Sequence, residues 1–329
     1  MKDNSEKGRV RFDECTKAGH PEFIYPEFMI GDIKKVMFKA DGSKSLLEVY
    51  ISSDTQCAYT PRARKALESS ANADFINEQL DKIMTGKAYS VNLCKEDSIG
   101  TGIRWAAGGA LHIDANNTAA LIHRDSNAPS YPNHFTLPSG LSANVGEMMN
   151  PGALMLRKGL EEIIYLENGS ALVPDIADCG CNAESIISEA VKRFCGGVMT
   201  YELKKVDAQL EKDPRWKVIT YYNNEELKQF ETNAIVCIDP KTAGIDLLSV
   251  IRYDADFRKT IPFDTDTYTA RNGFPRNLNR KIGLVDVGEM LRGGLVSMEC
   301  FKGRRLSMQK KVINPTPALQ SVMDYLKYE

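Results

Sequence analysis

Residues 134–166 read HFTLPSGLSANVGEMMNPGALMLRKGLEEIIYL, and the rest of the chain is read as their support. Asn150 is a good N-cap and Pro151 suits the first helical position, while Leu154, Leu160, Ile163 and Ile164 recur at helical intervals. The spacing predicts a helix here. Lys158, Glu161 and Glu162 stand at i, i+3 and i+4, so their side chains share one face, with Arg157 at its border. Paired carboxylates on a rigid helix behind a glycine-containing loop are of the kind that holds a hard cation against a phosphate. An acidic pair on a helix is also common as a plain solvated face. The flanking strand and glycine loop favour the first reading.

The same residues resemble the Nudix box, in which a glycine is followed by an isolated glutamate, then an arginine and a late pair of glutamates. Gly140 matches the opening glycine, Glu147 the isolated glutamate, Arg157 the arginine, and Glu161 and Glu162 the pair. The upstream run AALIHRDSNAPSYPNHFTLPSG, from Ala119, resembles the strand, loop, strand and glycine turn that lead into that box. The spacing is looser than the family's, since six residues separate Gly140 from Glu147 and nine separate Glu147 from Arg157. Lys158 replaces the family's second-position glutamate, Gly159 its aliphatic residue and Ile164 its late glycine.

The resemblance implies an α/β (α+β) fold, a Nudix-like α/β/α sandwich around a mixed sheet. It implies a pyrophosphohydrolase using Mg2+ or Mn2+, in which water attacks a nucleoside diphosphate linked to another moiety. Glu161 and Glu162 would be metal ligands, the Gly140 carbonyl a third, Glu147 a support or further ligand, and Arg157 the group that orients a glutamate. Lys158, a cation at a ligand position, also fits a protein that binds nucleotides or regulates and has lost turnover. In an enzyme, an acid such as Asp264, Asp266 or Glu289 would then make up the missing charge. Hydrolysis of an RNA cap is a further alternative resting on Lys302, Arg304, Arg305, Lys310 and Lys311. With 42 basic against 44 acidic residues and a net charge of -2, the composition does not favour RNA as a partner. An edge strand guarded by lysines explains that cluster at least as well.

In the loop before the box, Tyr131, His134 and Phe135 are expected to contact substrate, their rings stacking on a base or bonding a ribose. Equally, the loop would cover a sheet end, with His134 a structural histidine. Lys158 is the remaining candidate for phosphate contact.

The 329 residues suffice for two domains. Residues 1–104 are read as a small α+β N-terminal domain with an accessory or dimerising role, a homodimer being the expected assembly. Its signals are strands at VMFKA and LLEVYIS about Asp41-Gly42, a short helix after Thr60-Pro61, a helix from Asp74 to Gly86, and a strand at YSVNL. Residues 105–329 are read as the Nudix-like domain. It opens with the hairpin GGALHIDA and TAALIHR about Asn116-Asn117, and carries an insertion at about 167–216 with a helix from Ala183. Strands at NAIVCID and DLLSVIRYD follow, then a long functional loop from Ile261 to Leu291, and a helix capped by Thr316-Pro317.

Hydrophobic content of 43%, eight scattered cysteines and a polar start predict a protein of the reducing cytoplasm with no membrane span. Cys179, Cys181 and Cys195 lack a fourth partner for zinc and are read as separate thiols.

Overall fold

The computed structural model describes residues 29–41, 44–57, 70–95, 102–103, 105–124, 126, 128, 130–140, 154–155, 158–159, 162–167, 170–173, 201–203, 217–223, 228–264, 282–302 and 305–328. In chain order the elements are β1 (Met29–Asp41), β2 (Lys44–Cys57), α1 (Ser70–Met84), β3 (Ser90–Asn92), β4 (Trp105–Ile113), β5 (Thr118–His123), β6 (Phe135–Thr136) and β7 (Ser139–Gly140). Next come β8 (Ile163–Glu167), β9 (Ser170–Val173), β10 (Tyr201–Leu203), β11 (Lys217–Asn223), β12 (Lys228–Asp239), β13 (Gly244–Arg252) and β14 (Ile261–Asp264). The last are β15 (Ile282–Asp286), α2 (Val287–Arg292), β16 (Leu295–Lys302), β17 (Arg305–Val312) and α3 (Pro317–Leu326). The fold is mixed α+β, rich in sheet and sparing in helix among the described residues.

Two compact units emerge, and the chain passes between them more than once: residues 1–107, 141–154 and 210–247 form the first, residues 108–140, 155–209 and 248–329 the second. Strand pairing explains why residues beyond 210 rejoin the first unit. β11 lies parallel to β2, with Val218 opposite Leu46 and Asn223 opposite Ile51, and β12 returns antiparallel to β11. The order in this unit is β12-β11-β2-β1-β3, a mixed sheet. Val36 and Phe38 of β1 are buried while Lys35, Met37 and Lys39 between them are half-buried, the period-two pattern of a strand with one face on a core. The expected hairpin is present and longer than its apolar runs, Asp41 facing Lys44 across its end.

Helix α1 starts at Ser70, earlier than Asp74, and its apolar stripe is narrower than its sequence suggests. Ile76 is fully buried, Phe75, Leu80 and Ile83 are half-buried, and Met84 is 85% exposed. Gly86 follows with φ +68, the left-handed residue that ends such a helix. The short helix expected after Thr60 lies outside the described residues, as does the one from Ala183.

The second unit holds the antiparallel run β17-β16-β15-β5-β4, with β6 on β5 and β7 on β4. A separate sheet runs β10-β9-β8-β14. Within the expected loop from Ile261, β14, β15 and α2 are regular structure. β15 is central, between β5 and β16, and buried at Ile282, Gly283, Leu284 and Val285. A strand covered on both faces needs no polar alternation, so its sequence carries no period to find. Asp266, Tyr268, Arg271, Arg276 and Arg280 lie outside the described residues.

Helix α3 is built as its sequence implies. Thr316 caps it by accepting from the Leu319 N–H, Pro317 opens it, and Ala318, Leu319, Val322, Met323 and Leu326 are buried. No described helix is long and apolar enough to cross a membrane.

Candidate active site

The site is organised along β4. Gly108 and Gly109 pair with Gly140 and Ser139 of β7, and the Ala110 N–H donates to the Pro138 carbonyl at 3.0 Å. The glycine that opens the quoted motif is therefore fixed against this strand. Residues 154, 155, 158, 159 and 162 are α-helical, as the spacing predicts, but Ile163 and Ile164, counted into the same helix by their spacing, are strand: the chain turns directly from Glu162 into β8, where both pair with β14.

That helix meets the strand at Gly159. A Cβ there would lie 3.0 Å from the Ala110 Cβ, 3.2 Å from the Ala110 backbone nitrogen and 3.2 Å from His112 Nε2. The missing side chain thus sets the depth at which the helix rests, and the imidazole takes up room beside it. Ala110 lies two residues along β4 from Gly108, roughly 6 to 7 Å, so the glycine turn and the charged helix converge on one short stretch of strand. Gly159→Val is expected to lower the stability of this unit by about 2 kcal/mol, because the added methyls press on backbone that cannot yield. Urea unfolding measures it, and a neutral outcome would mean that the helix does not seat at this depth.

Of the predicted ligands, Gly140 and Glu162 are described. Glu162 is helical and only 8% exposed, so its carboxylate is not on a plain solvated face. Lys158, one turn earlier, is half-buried. Arg157, Glu161 and Glu147 lie outside the described residues. Glu289, considered as a replacement acid, serves the backbone: its Oε2 accepts from the Ser297 N–H at 2.8 Å. Asp264 ends β14 opposite Ile163.

The loop before β6 is held in an unusual shape. Tyr131 and Asn133 have φ of +49 and +59, and Arg124 donates from Nε to the Ser130 carbonyl at 3.0 Å. Tyr131 meets His134 edge-on at 5.6 Å between ring centroids. His134 Nδ1 lies 2.8 Å from the Pro132 carbonyl, which can only accept, so Nδ1 carries the hydrogen and Nε2 of the neutral ring is left as an acceptor. Phe135 differs from its expected role. It is 5% exposed and packs edge-on to His123, while its N–H donates to the Asn314 carbonyl; pairing of β6 with β5 holds its ring inside the core.

Beneath the helix lies a cluster that sequence reading missed. His112 Nδ1 is 3.1 Å from the Tyr165 hydroxyl, and His112 Nε2 and the Tyr253 hydroxyl are buried with no hydrogen-bond partner among the described residues. Tyr165 stacks on Phe257 at 4.1 Å with 5° between the rings, and Tyr253 meets both edge-on. Burial pushes the His112 imidazole down to about 3, and burial, with smaller contributions from Tyr253 and Asp114, pushes the Tyr165 hydroxyl up. Asp114 binds the cluster to the hairpin turn. Its Oδ1 accepts from the N–H groups of Asn116 and Thr118, and its Oδ2 accepts from the Phe257 N–H at 3.0 Å. Asn117, at φ +59, completes the turn expected from Asn116-Asn117. A histidine in the middle of the apolar run GGALHIDA was the one available signal of this cluster.

Among the described residues no group of three or more His, Cys, Asp or Glu side chains is placed to hold a metal ion. Cys94 and Cys237 are buried and Cys300 is half-buried. Comparison of the chain with protein-family models, with curated proteins and with solved structures finds no match in any of the three.

Proposed function

We propose that this chain is a Nudix-type, metal-dependent hydrolase of a nucleoside diphosphate linked to a second moiety, with an α/β/α arrangement about the site. The observation that supports this reading is the convergence on β4. Gly140 is paired there, and the helix bearing Lys158 and Glu162 rests there through Gly159. A carboxylate and a backbone carbonyl are hard oxygen donors suited to Mg2+ or Mn2+. In this reading Glu161, Glu162 and the Gly140 carbonyl would hold the cation, supported by Glu147. The cation supplies neutralisation of diphosphate charge and a lower pKa for a bound water.

The chain's own groups do the rest. The resemblance assigns Arg157 the task of orienting a glutamate, which a guanidinium would do by a charge-assisted hydrogen bond. His134 offers Nε2 as an acceptor for a ribose hydroxyl, and Tyr131, fixed beside it, offers a ring to a base. The test is a panel of ADP-ribose, dinucleoside polyphosphates, nucleotide sugars, nucleoside triphosphates and capped RNA, each run with magnesium and with manganese. Absence of a released nucleoside monophosphate from every member would defeat the proposal.

A second reading draws on Lys158. Half-buried and one turn from Glu162, it would in this reading bind phosphate in a pocket that does not hydrolyse. Lys158→Glu discriminates the two, since the exchange alters local charge by two units beside the site. For an enzyme, the change is expected to tighten magnesium binding and to keep or raise turnover. For a binder, it weakens nucleotide binding and yields no product. Calorimetry with and without magnesium, paired with product analysis, reads both, and metal-independent binding without turnover in the wild type would overturn the hydrolase reading.

A further inference from the structure

β17 ends the sheet of the second unit. β16 pairs with it along its whole length on one side, and no described strand pairs with it on the other. Such an edge presents a row of backbone donors and acceptors ready to take another strand. Register fixes which side chains share a face. Leu295 stands opposite Val312, Ser297 opposite Lys310, and Glu299 opposite Met308, so Met308, Lys310, Val312 and Leu295 lie together. Arg305, Ser307, Gln309 and Lys311 project from the other face.

Charge and apolar surface are combined here in a specific way. Leu295, Met308 and Val312 are 65%, 61% and 63% exposed and share one face, Leu295 directly opposite Val312 and Met308 beyond the Ser297–Lys310 pair. The strand RLSMQKKV carries Arg305, Lys310 and Lys311 and no acid. Lysines by themselves are a common way to keep an edge from pairing, but that purpose gives no reason for exposed apolar residues beside them. An edge with open backbone groups, with Met308 and Val312 beside Lys310 on one face and Arg305 and Lys311 among polar residues on the other, complements an extended acidic segment whose apolar residues alternate with Asp or Glu.

We propose that β17 is a docking edge that takes such an acidic, alternating segment of a partner protein as an added strand. A second copy of this chain is a poorer occupant. Antiparallel addition of β17 to itself would bring both sets of three cations onto one strand pair, and like charges across a ladder are unfavourable. Single-stranded nucleic acid is also poorer, because β17 offers no aromatic ring on which a base could stack.

The experiment uses the full chain and a fluorescein-labelled peptide of alternating valine and glutamate, matched to the 8 residues of β17 and followed by anisotropy. Binding is expected, with a loss of about tenfold or more on each of three changes: lysine for glutamate in the peptide, methylation of its backbone nitrogens, and K310E/K311E in the protein. The K310E/K311E protein should in turn prefer the valine-lysine peptide, a reversal that a merely misfolded variant would not produce. Unchanged affinity after backbone methylation would overturn the proposal, as would indifference to the charge exchange. So would tighter binding of a labelled single-stranded oligonucleotide than of the peptide, or a concentration-dependent dimer in sedimentation that K310E/K311E abolishes.

Discussion

Lowering the pH from about 6.5 towards 3 is expected to remove on the order of 5 kcal/mol of folding stability through one side chain, His112. In the folded protein the imidazole is fully buried and stays neutral down to about 3, while in the unfolded chain it takes a proton near 6.5. Above that pH both states hold it neutral and it contributes no pH dependence. Below it the unfolded state binds a proton that the folded state refuses, so stability falls with pH until the folded value is reached. The slope due to this residue is about 1.4 kcal/mol per pH unit between the two values. Carboxylates add their own acid sensitivity, which calls for a difference measurement. His112→Gln keeps a polar group able to reach the Tyr165 hydroxyl but cannot titrate, and urea unfolding of both proteins at pH 6, 5 and 4 isolates the imidazole. Parallel slopes would mean that His112 is hydrated or paired in solution.

Glu162→Gln is expected to cut turnover by about a hundredfold or more, the loss of several kcal/mol of charge stabilisation at the reacting phosphate. The substitution keeps volume and hydrogen-bonding capacity and removes only the charge. Because Glu162 is buried at the point where the helix becomes β8, its effect on folding has to be measured beside its effect on rate. A change in urea stability of about 1 kcal/mol or less, with turnover lost, assigns the carboxylate to the chemistry. An unfolded variant would make Glu162 a structural residue, and an active one would remove it from the site.

The parts of the fold legible in the sequence are those governed by chemistry between near neighbours. Asn116 and Asn117 announce the β4–β5 turn, Thr316 and Pro317 open α3, and Gly86 closes α1, each through a backbone requirement met within a few residues. The helical spacing at 154–162 was readable for the same reason. Partnerships at long range were not. Nothing in the alternation of β2 says that it will lie parallel to residues 218–223, and the apolar run of β15 looks like any buried segment. The site divides along the same line. Gly140 and the charged helix belong to one local pattern, whereas His112 acquires its meaning from Tyr165, 53 positions away, and from Tyr253. Phe135 was misjudged because loop composition suggested access, and the two-residue pairing of β6 with β5 put the ring inside.

The bonds that seat β6 have a consequence for how this chain folds as it is made. Phe135 donates its N–H to Asn314, Thr316 returns its own to Phe135, and the hydroxyls of Thr316 and Thr136 meet across 180 positions. β5 in the same way waits for β15. A ribosome that has released only the segment through β14 therefore leaves β5 without the neighbour that covers one of its edges, and closing so long a loop is slow. Folding of the second unit has to follow synthesis of residues 282–316 rather than accompany it, and until then the buried strand TAALIH stands open to mispairing, which makes expression at low temperature or with a chaperone the condition that favours recovery.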